Sequence, residues 1–431
     1  MTQKLPRTLI VTSGVFSHTT GGGVTLSSLF SKWPKDQLAT VYRDYATPTT
    51  DVCDRYYRLR RDEICKWGPF EAIRRTVVAQ GDDASGRPQS SARGPIAAVR
   101  RLLFGDGVPE TVHLTNELDR WVADFRPDVI YSVLGSNAMI ELTDALRVRY
   151  GLPSVIHFMD DWPSTIYRGG LLSGFERVRL QRNLDHFLSV STTRLAICDS
   201  MACAYESRYG RSFGVFQNTV DTGKWSSFAR TDTALGPDIK ILYTGAVLPF
   251  AQLESLATCC LAVARLRRAG VPVKLDIFSP SFQAKSYRDR FIVDNCITLN
   301  EVIPDRTEYF KKLCGADILL LPVNFDARTI RFIRYSMPTK VPEYLASGVP
   351  ILAYGPAQVA QVEYAARAGW GHVVTQPGVE QVELGLRRLI EDDGLRAKYS
   401  KTARRLAIER HDVGTVRQNF ENVLRRTAGI N

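Results

Sequence analysis

Residues 335–356 read YSMPTKVPEYLASGVPILAYGP. The span from Lys340 to Ser347 fits a short helix. Pro338 and Pro342 lie around its start, where the first N–H groups have no intrahelical acceptor, and Gly348 marks its end. The following VPILAYG (349–355) is an apolar run of strand length. The preceding ADILLLPV (316–323) is apolar almost throughout, as in a strand buried on both faces. Strand, helix and strand together read as a parallel βαβ unit.

The same alternation extends along the chain. In the first half the strand-like runs are TLIVTSGVF (8–16), DVIYSVLG (128–135), PSVIHFMD (153–160), RLAICDS (194–200) and FGVFQN (213–218). In the second half IKILYTGAV (239–247), VKLDIFS (273–279) and GHVVT (371–375) join the two strands already named. Helical periodicity falls at 140–150, 178–188, 253–269, 306–314, 358–368 and 380–390, and a basic helical tail runs over 394–427. This predicts an α/β protein of two similar halves, joined near residues 218–234, where Asp, Thr, Ser and Gly cluster.

A chain of 431 residues is too long for one core, so more than one domain is expected. No apolar run reaches the roughly 18 residues a membrane span needs. The opening MTQKLPRTLIVTSGVF does not read as a signal peptide. Eight cysteines without a C-x-x-C pair read as reduced thiols in a cytoplasmic protein. Of the net charge of +11, +8 falls in residues 223–431. That surplus suits anionic ligands or lipid headgroups, although a solvated basic surface is the simpler reading. Nucleic acid is not expected as a partner, because no module pairing aromatic and basic residues appears. Residues 80–95, QGDDASGRPQSSARGP, read as a flexible loop. IAAVRRLLF (96–104) is too short for a convincing interfacial anchor and is expected to dock on its domain.

Three stretches carry the candidate chemistry. In SHTTGGGVTLSSLF (17–30), Gly21, Gly22 and Gly23 let backbone approach a ligand ahead of a helix N-terminus. The spacing is not G-x-G-x-x-G, which argues against a nicotinamide cofactor. In HFMDDWP (157–163), His157, Asp160 and Asp161 follow a strand and are candidates for contacting a hydroxylated substrate. A hydrogen-bonded core histidine and a helix cap are the competing readings. The third is the opening stretch with its upstream arginines: Arg328, Arg331, Arg334 and Lys340 surround a helix start suited to a diphosphate. Glu343 in that first turn is suited to a ribose diol. Taken alone, it reads as a carboxylate complementing the helix dipole.

Taken in order, TTGGGVTLSSL, FRPDVIYS, His157, AICDSMACAYESRYG, FQNTVDTGKW, IKILYTGAV, ADILLLPV and SMPTKVPEYLASGVPILAYGP resemble the family-4 retaining glycosyltransferases over nearly the whole chain. The resemblance implies the GT-B fold, two Rossmann-like domains facing a cleft. It assigns an acceptor-binding domain to 1–222, with a C-terminal helix near 412–431 packing back on it. A donor-binding domain follows over 223–411. Glu343 matches the family's second glutamate, which holds the donor ribose. The first glutamate falls at Tyr335, a departure, and Asp326 is the nearest substitute. Relatives carry an arginine and a lysine after the Y-T-G strand, whereas this chain has Ala246, Val247, Leu248, Pro249 and Phe250. Arg331, Arg334 or Lys340 is therefore expected to supply the missing charge. Gly245 and Ser336 complete the donor set, Gly22 and Gly23 approach the phosphates, and His157 contacts the sugar or acceptor.

The implied activity is retaining transfer from a nucleotide diphosphate sugar, as co-substrate, to a glycan or lipid-linked acceptor in surface polysaccharide or glycoconjugate assembly. No cofactor is expected. No metal is expected either, because no D-x-D follows an apolar strand. A peripheral contact with the inner membrane face, through the basic second half and tail, is a further expectation. The alternatives are a sugar-nucleotide epimerase on the same architecture and a non-catalytic nucleotide-sugar or glycan-binding protein.

Overall fold

A computed structural model gives the fold for residues 4–18, 21–60, 62–66, 95–105, 107, 109–280 and 286–430. Nearly all of the stretch read as a flexible loop (80–95) lies outside the described residues. The chain divides into two compact units, Met1–Phe216 with Arg417–Asn431, and Gln217–Val416.

Strands of the first unit are β1 (Thr8–Thr12), β2 (Leu38–Tyr42), β3 (Tyr56–Arg58), β4 (Ile64–Lys66), β5 (Glu110–Val112), β6 (Val129–Leu134), β7 (Ser154–Phe158), β8 (Thr193–Ala196) and β9 (Gly214–Val215). Those of the second are β10 (Ile239–Thr244), β11 (Val273–Phe278), β12 (Ile297–Asn300), β13 (Ile318–Pro322), β14 (Ile351–Tyr354) and β15 (His372–Val374). The first sheet has the order β3-β2-β1-β6-β7-β8-β9 and the second β12-β11-β10-β13-β14-β15, with a separate antiparallel β4-β5 pair. Every pairing in the two large sheets is parallel. Both follow the Rossmann order, in which the third strand lies at one edge and the order reverses beside the first. The reversal lies between β1 and β6 in one unit and between β10 and β13 in the other. Their carboxyl ends are where such sheets bind ligands.

Burial explains the continuous apolar runs. All residues of β1, β7 and β13 are buried, because helices cover both sheet faces. Leu9, Val11, Ile130 and Leu142 belong to one core, and Ile241, Leu256, Leu275 and Ile318 to the other. Three strands of the large sheets, β2, β3 and β12, are not among the strand-like runs; β3 and β12 are short and only partly buried, whereas β2 is five residues long and fully buried.

The basic helical tail is two helices, Asp393–His411 and Val413–Thr427. Asp412 leaves helical geometry at ψ 125° and caps the second helix by accepting from the Gly414 and Thr415 N–H groups. Phe420 is fully buried among Phe30, Tyr131 and Phe216, with ring centroids 5.1, 5.6 and 5.6 Å away. The tail's apolar face thus completes the first unit's core. No helix among the described residues is long and apolar enough to cross a membrane.

The helix Lys340–Ser347 ends at Gly348 in the left-handed region, φ 72°. A Cβ there would also stand 2.5 Å from the Arg230 carbonyl oxygen. Gly348→Ala is therefore expected to destabilise the protein by roughly 1–3 kcal/mol, measured by urea unfolding.

Candidate functional site

In the second unit the candidate site gathers at the carboxyl end of β10. The helix Lys340–Ser347 aims its first turn at that end. Lys340 Nζ donates to the Thr244 carbonyl oxygen at 2.8 Å and lies 4.1 Å from the centre of the Tyr243 ring. Burial pulls its ammonium down to about 7, against the opposing pull of the Glu343 carboxylate. Gly245, at φ 124°, turns the chain away from β10; a Cβ there would meet Lys340 Nζ at 2.9 Å. Glycine at 245 therefore leaves room for the lysine head.

Glu343, one turn along from Lys340, is fixed at both oxygens. Arg306 Nη2 donates to Oε1 at 2.6 Å, and the Tyr309 hydroxyl donates to Oε2 at 2.8 Å. Arg306 and Tyr309 share a face of the helix Arg306–Cys314, which Asp305 caps by accepting from the Glu308 N–H. Burial, with the Glu343 charge second, holds the Tyr309 phenol well above its usual range, so it stays a donor. The Tyr344 hydroxyl accepts from the Thr244 N–H at 3.1 Å, tying the helix to the strand end. Lys340 and Glu343 thus present one cation and one anchored carboxylate at the sheet's switch point.

In the first unit a cavity of about 360 Å³ opens at the carboxyl ends of β1 and β6. Ser13, Gly22, Gly23, Asp44, Asp160 and Trp162 are among its lining residues. The three glycines form the first turn of the helix Gly21–Phe30 rather than a loop before it. A Cβ at Gly21 or Gly22 would meet nothing within 4 Å, so packing does not require glycine at either position. Leu134, buried at φ 59°, holds the left-handed region at the end of β6, a conformation rare for leucine.

The three predicted residues after β7 separate. Asp160 lines the cavity and accepts from the Trp162 N–H at 3.1 Å. Crowding of its carboxyl raises it above the ordinary range, helped by the Asp161 charge, although the residue as a whole is exposed. Asp161 is buried instead. It accepts from the Tyr205 hydroxyl at 2.7 Å and from Arg208 Nη1 at 3.0 Å, and it does not line the cavity. Asp161→Ala is expected to cost about 2 kcal/mol of stability, because it strands a buried hydroxyl and a half-buried guanidinium. Asp160→Asn removes a desolvated charge and keeps an acceptor for the Trp162 N–H, so it should not lower the urea midpoint. His157 is fully buried within β7, with Nδ1 2.7 Å from the Tyr131 hydroxyl, and it does not line the cavity. Burial pulls its imidazole down to about 4, so it is neutral at physiological pH.

No protein-family model matches the chain, and no curated protein does. Solved structures do. Sucrose-phosphate synthase from Thermosynechococcus elongatus superposes with a TM-score of 0.64 at 10% identity, covering 98% of this chain and 100% of that one. HepE of Anabaena in complex with UDP gives 0.58 at 14%, covering 97% and 99%. A glycosyltransferase from Rickettsia africae gives 0.60 at 10%, covering 97% and 98%. The chain has the fold of these glycosyltransferases, two Rossmann-like domains. At such low identity the likeness is one of fold.

On this GT-B fold the remaining predicted donor residues can be placed. The apolar segment after Gly245 is held by Asn324, whose Nδ2 donates to the Pro249 carbonyl and whose Oδ1 accepts from the Ser255 N–H. Phe250 packs on Phe332, ring centroids 4.9 Å apart, which joins that segment to the helix Ala327–Ile333. Arg331 and Arg334 flank Phe332 in sequence and are exposed. Ser336 is half-buried, and its N–H donates to the Ile333 carbonyl. Tyr335 is buried beneath the Arg334 guanidinium, 5.2 Å from its ring centre. Asp326 caps the helix Ala327–Ile333, taking both the N–H and the hydroxyl of Thr329. That use fixes it as a cap.

Sequence reasoning missed Arg306, Tyr309, Asp44 and Trp162. Only topology brings the first two to Glu343, because they lie on the helix between β12 and β13. Among the described residues no group of three or more histidine, cysteine or carboxylate side chains is placed to hold a metal ion. A larger cavity of about 800 Å³ includes Lys240 and Asp317, at the amino ends of β10 and β13, away from this site.

Proposed function

We propose that the protein is a glycosyltransferase that moves a sugar from a nucleotide diphosphate sugar to a glycan or lipid-linked acceptor, with retention at the anomeric carbon. The observation that carries this reading is the pairing of Lys340 with the anchored Glu343 at the carboxyl end of β10. Glu343 receives the ribose hydroxyls. Lys340, with Arg331 and Arg334, stabilises the diphosphate as the bond from the anomeric carbon to its oxygen breaks. The acceptor oxygen bonds to that carbon on the same face, and its proton leaves with the diphosphate. Asp160 holds the acceptor hydroxyl. The charge on the leaving group is met by protein cations and a helix N-terminus, so this reading calls for no metal. The HepE complexes with UDP, and with UDP and glucose, support a sugar nucleotide as the ligand class. The place of action in this reading is the cytoplasmic membrane face, in surface polysaccharide or glycoconjugate assembly.

Nucleoside diphosphate release across a panel of sugar nucleotides tests the proposal. Turnover with at least one donor is expected. No release with any of them, together with unchanged binding in Glu343→Ala, would sink it. A second reading, an epimerase, draws on the likeness to a putative UDP-N-acetylglucosamine 2-epimerase from Listeria monocytogenes, TM-score 0.53 at 11% identity. It requires the donor to interconvert with no acceptor present.

A further inference from the structure

Two segments of the first unit meet through their backbones. The Leu171 N–H donates to the Leu102 carbonyl at 2.9 Å, and the Leu172 N–H to the Leu103 carbonyl at 2.7 Å. Glycine permits the crossing: a Cβ on Gly170 would stand 2.4 Å from backbone atoms of Phe104 and Gly105. At this junction the helix Pro95–Phe104 is anchored by buried Phe104, while Val99 and Leu102 remain 50% and 61% exposed. On the other side Leu171, Phe175 and Val178 are 75%, 77% and 62% exposed.

Val99 and Leu102 are three residues apart on one helix, and Phe175 and Val178 three apart on the helix Ser173–Val190. Each helix therefore presents an apolar stripe. Single exposed apolar residues are ordinary, but five on two joined segments form a patch of the kind that marks an interaction site.

Charge decides what covers it. Segments 95–105 and 166–182 contain six arginines and one acidic residue, Glu176. Glu176 is buried and bound by Asn137 and Arg179. Arg101 and Arg182 are exposed. Arg179 is also paired with Glu141. Exposed apolar side chains beside the exposed cations Arg101 and Arg182 fit an anionic lipid surface. The tail, the more obvious candidate from sequence, has its Phe420 and Leu424 fully buried.

We propose that this face docks the protein on anionic membrane lipid. Leu171 and Phe175 insert at the acyl boundary, and Arg101 and Arg182 lie at the level of the lipid phosphates. The inference does not depend on the transferase reading.

Sedimentation of the full chain with phosphatidylcholine vesicles, with and without phosphatidylglycerol, tests it. The protein should pellet with the anionic vesicles, less so as salt rises. Leu171→Glu with Phe175→Glu should weaken that binding by roughly tenfold or more. Arg101→Gln with Arg182→Gln should remove the preference for phosphatidylglycerol. Unfolding midpoints and nucleoside diphosphate binding should stay unchanged in both variants. Three results would overturn the proposal. One is no pelleting with anionic vesicles at low salt, and another is equal binding by the glutamate variant. The third is a concentration-dependent doubling of mass that the glutamate variant abolishes, which would assign the face to a second copy.

Discussion

Glu343→Ala is expected to weaken nucleoside diphosphate binding by roughly 100- to 1,000-fold, about 3–4 kcal/mol, in a calorimetric titration. The estimate comes from two hydrogen bonds between ribose hydroxyls and an ionised carboxylate, each worth roughly 1.5–3 kcal/mol. Arg306 and Tyr309 already occupy one acceptor position on each oxygen. A carboxylate offers about four, so the ribose can bind without displacing either. The same contacts hold the carboxylate in place before ligand arrives, which spares the ordering cost of binding. Stability should fall much less, about 1 kcal/mol, because the Arg306 side chain is 62% exposed and an exposed ion pair contributes little. Arg306→Ala should weaken binding only several-fold, since Tyr309 still orients the glutamate. Equal losses in the two variants would mean that Glu343 acts only as an ion-pair partner.

Lys340→Met is expected to weaken diphosphate binding by roughly 100-fold, and to remove a pH dependence that the native protein shows. The ammonium lies near 7 in the folded protein, and an unfolded lysine near 10.4. Below about pH 7 both states hold the proton. Between about 7 and 10 the unfolded chain binds more protons than the folded one, so the native protein gains stability as pH rises. The methionine variant should lack that rise in urea unfolding measured at pH 6.5 and 9. Ligand binding runs the other way. A diphosphate favours the charged lysine, so affinity should fall from pH 7 to 9, and binding at pH 8 should take up a proton. Titrations in buffers of different ionisation enthalpy measure that uptake. Equal pH profiles for the native and methionine proteins would remove Lys340 from the site.

The fold was legible because its central strands carry no polar alternation. ADILLLPV read as a strand covered on both faces and TLIVTSGVF as a strand-like run, and the strands they hold, Ile318–Pro322 and Thr8–Thr12, are fully buried. β3 and β12 were not legible, being short edge strands with few buried residues. β2 was missed although it is fully buried, because LATVY is bounded closely by polar residues on both sides. The site was legible in part. Proline and glycine punctuation framed the helix that carries Lys340 and Glu343, and the helix occupies the predicted residues. The neighbours of Glu343 were not legible, because Arg306 and Tyr309 come from another helix brought near by strand order. HFMDDWP shows the opposite limit. Three polar residues within five positions have three environments: His157 in the core, Asp160 in a cavity wall and Asp161 in a buried ion pair. Side-chain alternation along a strand and a turn at its end separate them, and spacing alone does not reveal that.

The most direct test of donor binding and transfer is proton NMR of sugar nucleotides incubated with the protein, with and without a membrane lipid extract as acceptor source. The expected result is loss of the donor anomeric signal and growth of a new glycoside signal, with the same anomeric configuration, only when extract is present. Unchanged spectra for every donor would contradict the account. So would conversion of one sugar nucleotide into another without extract.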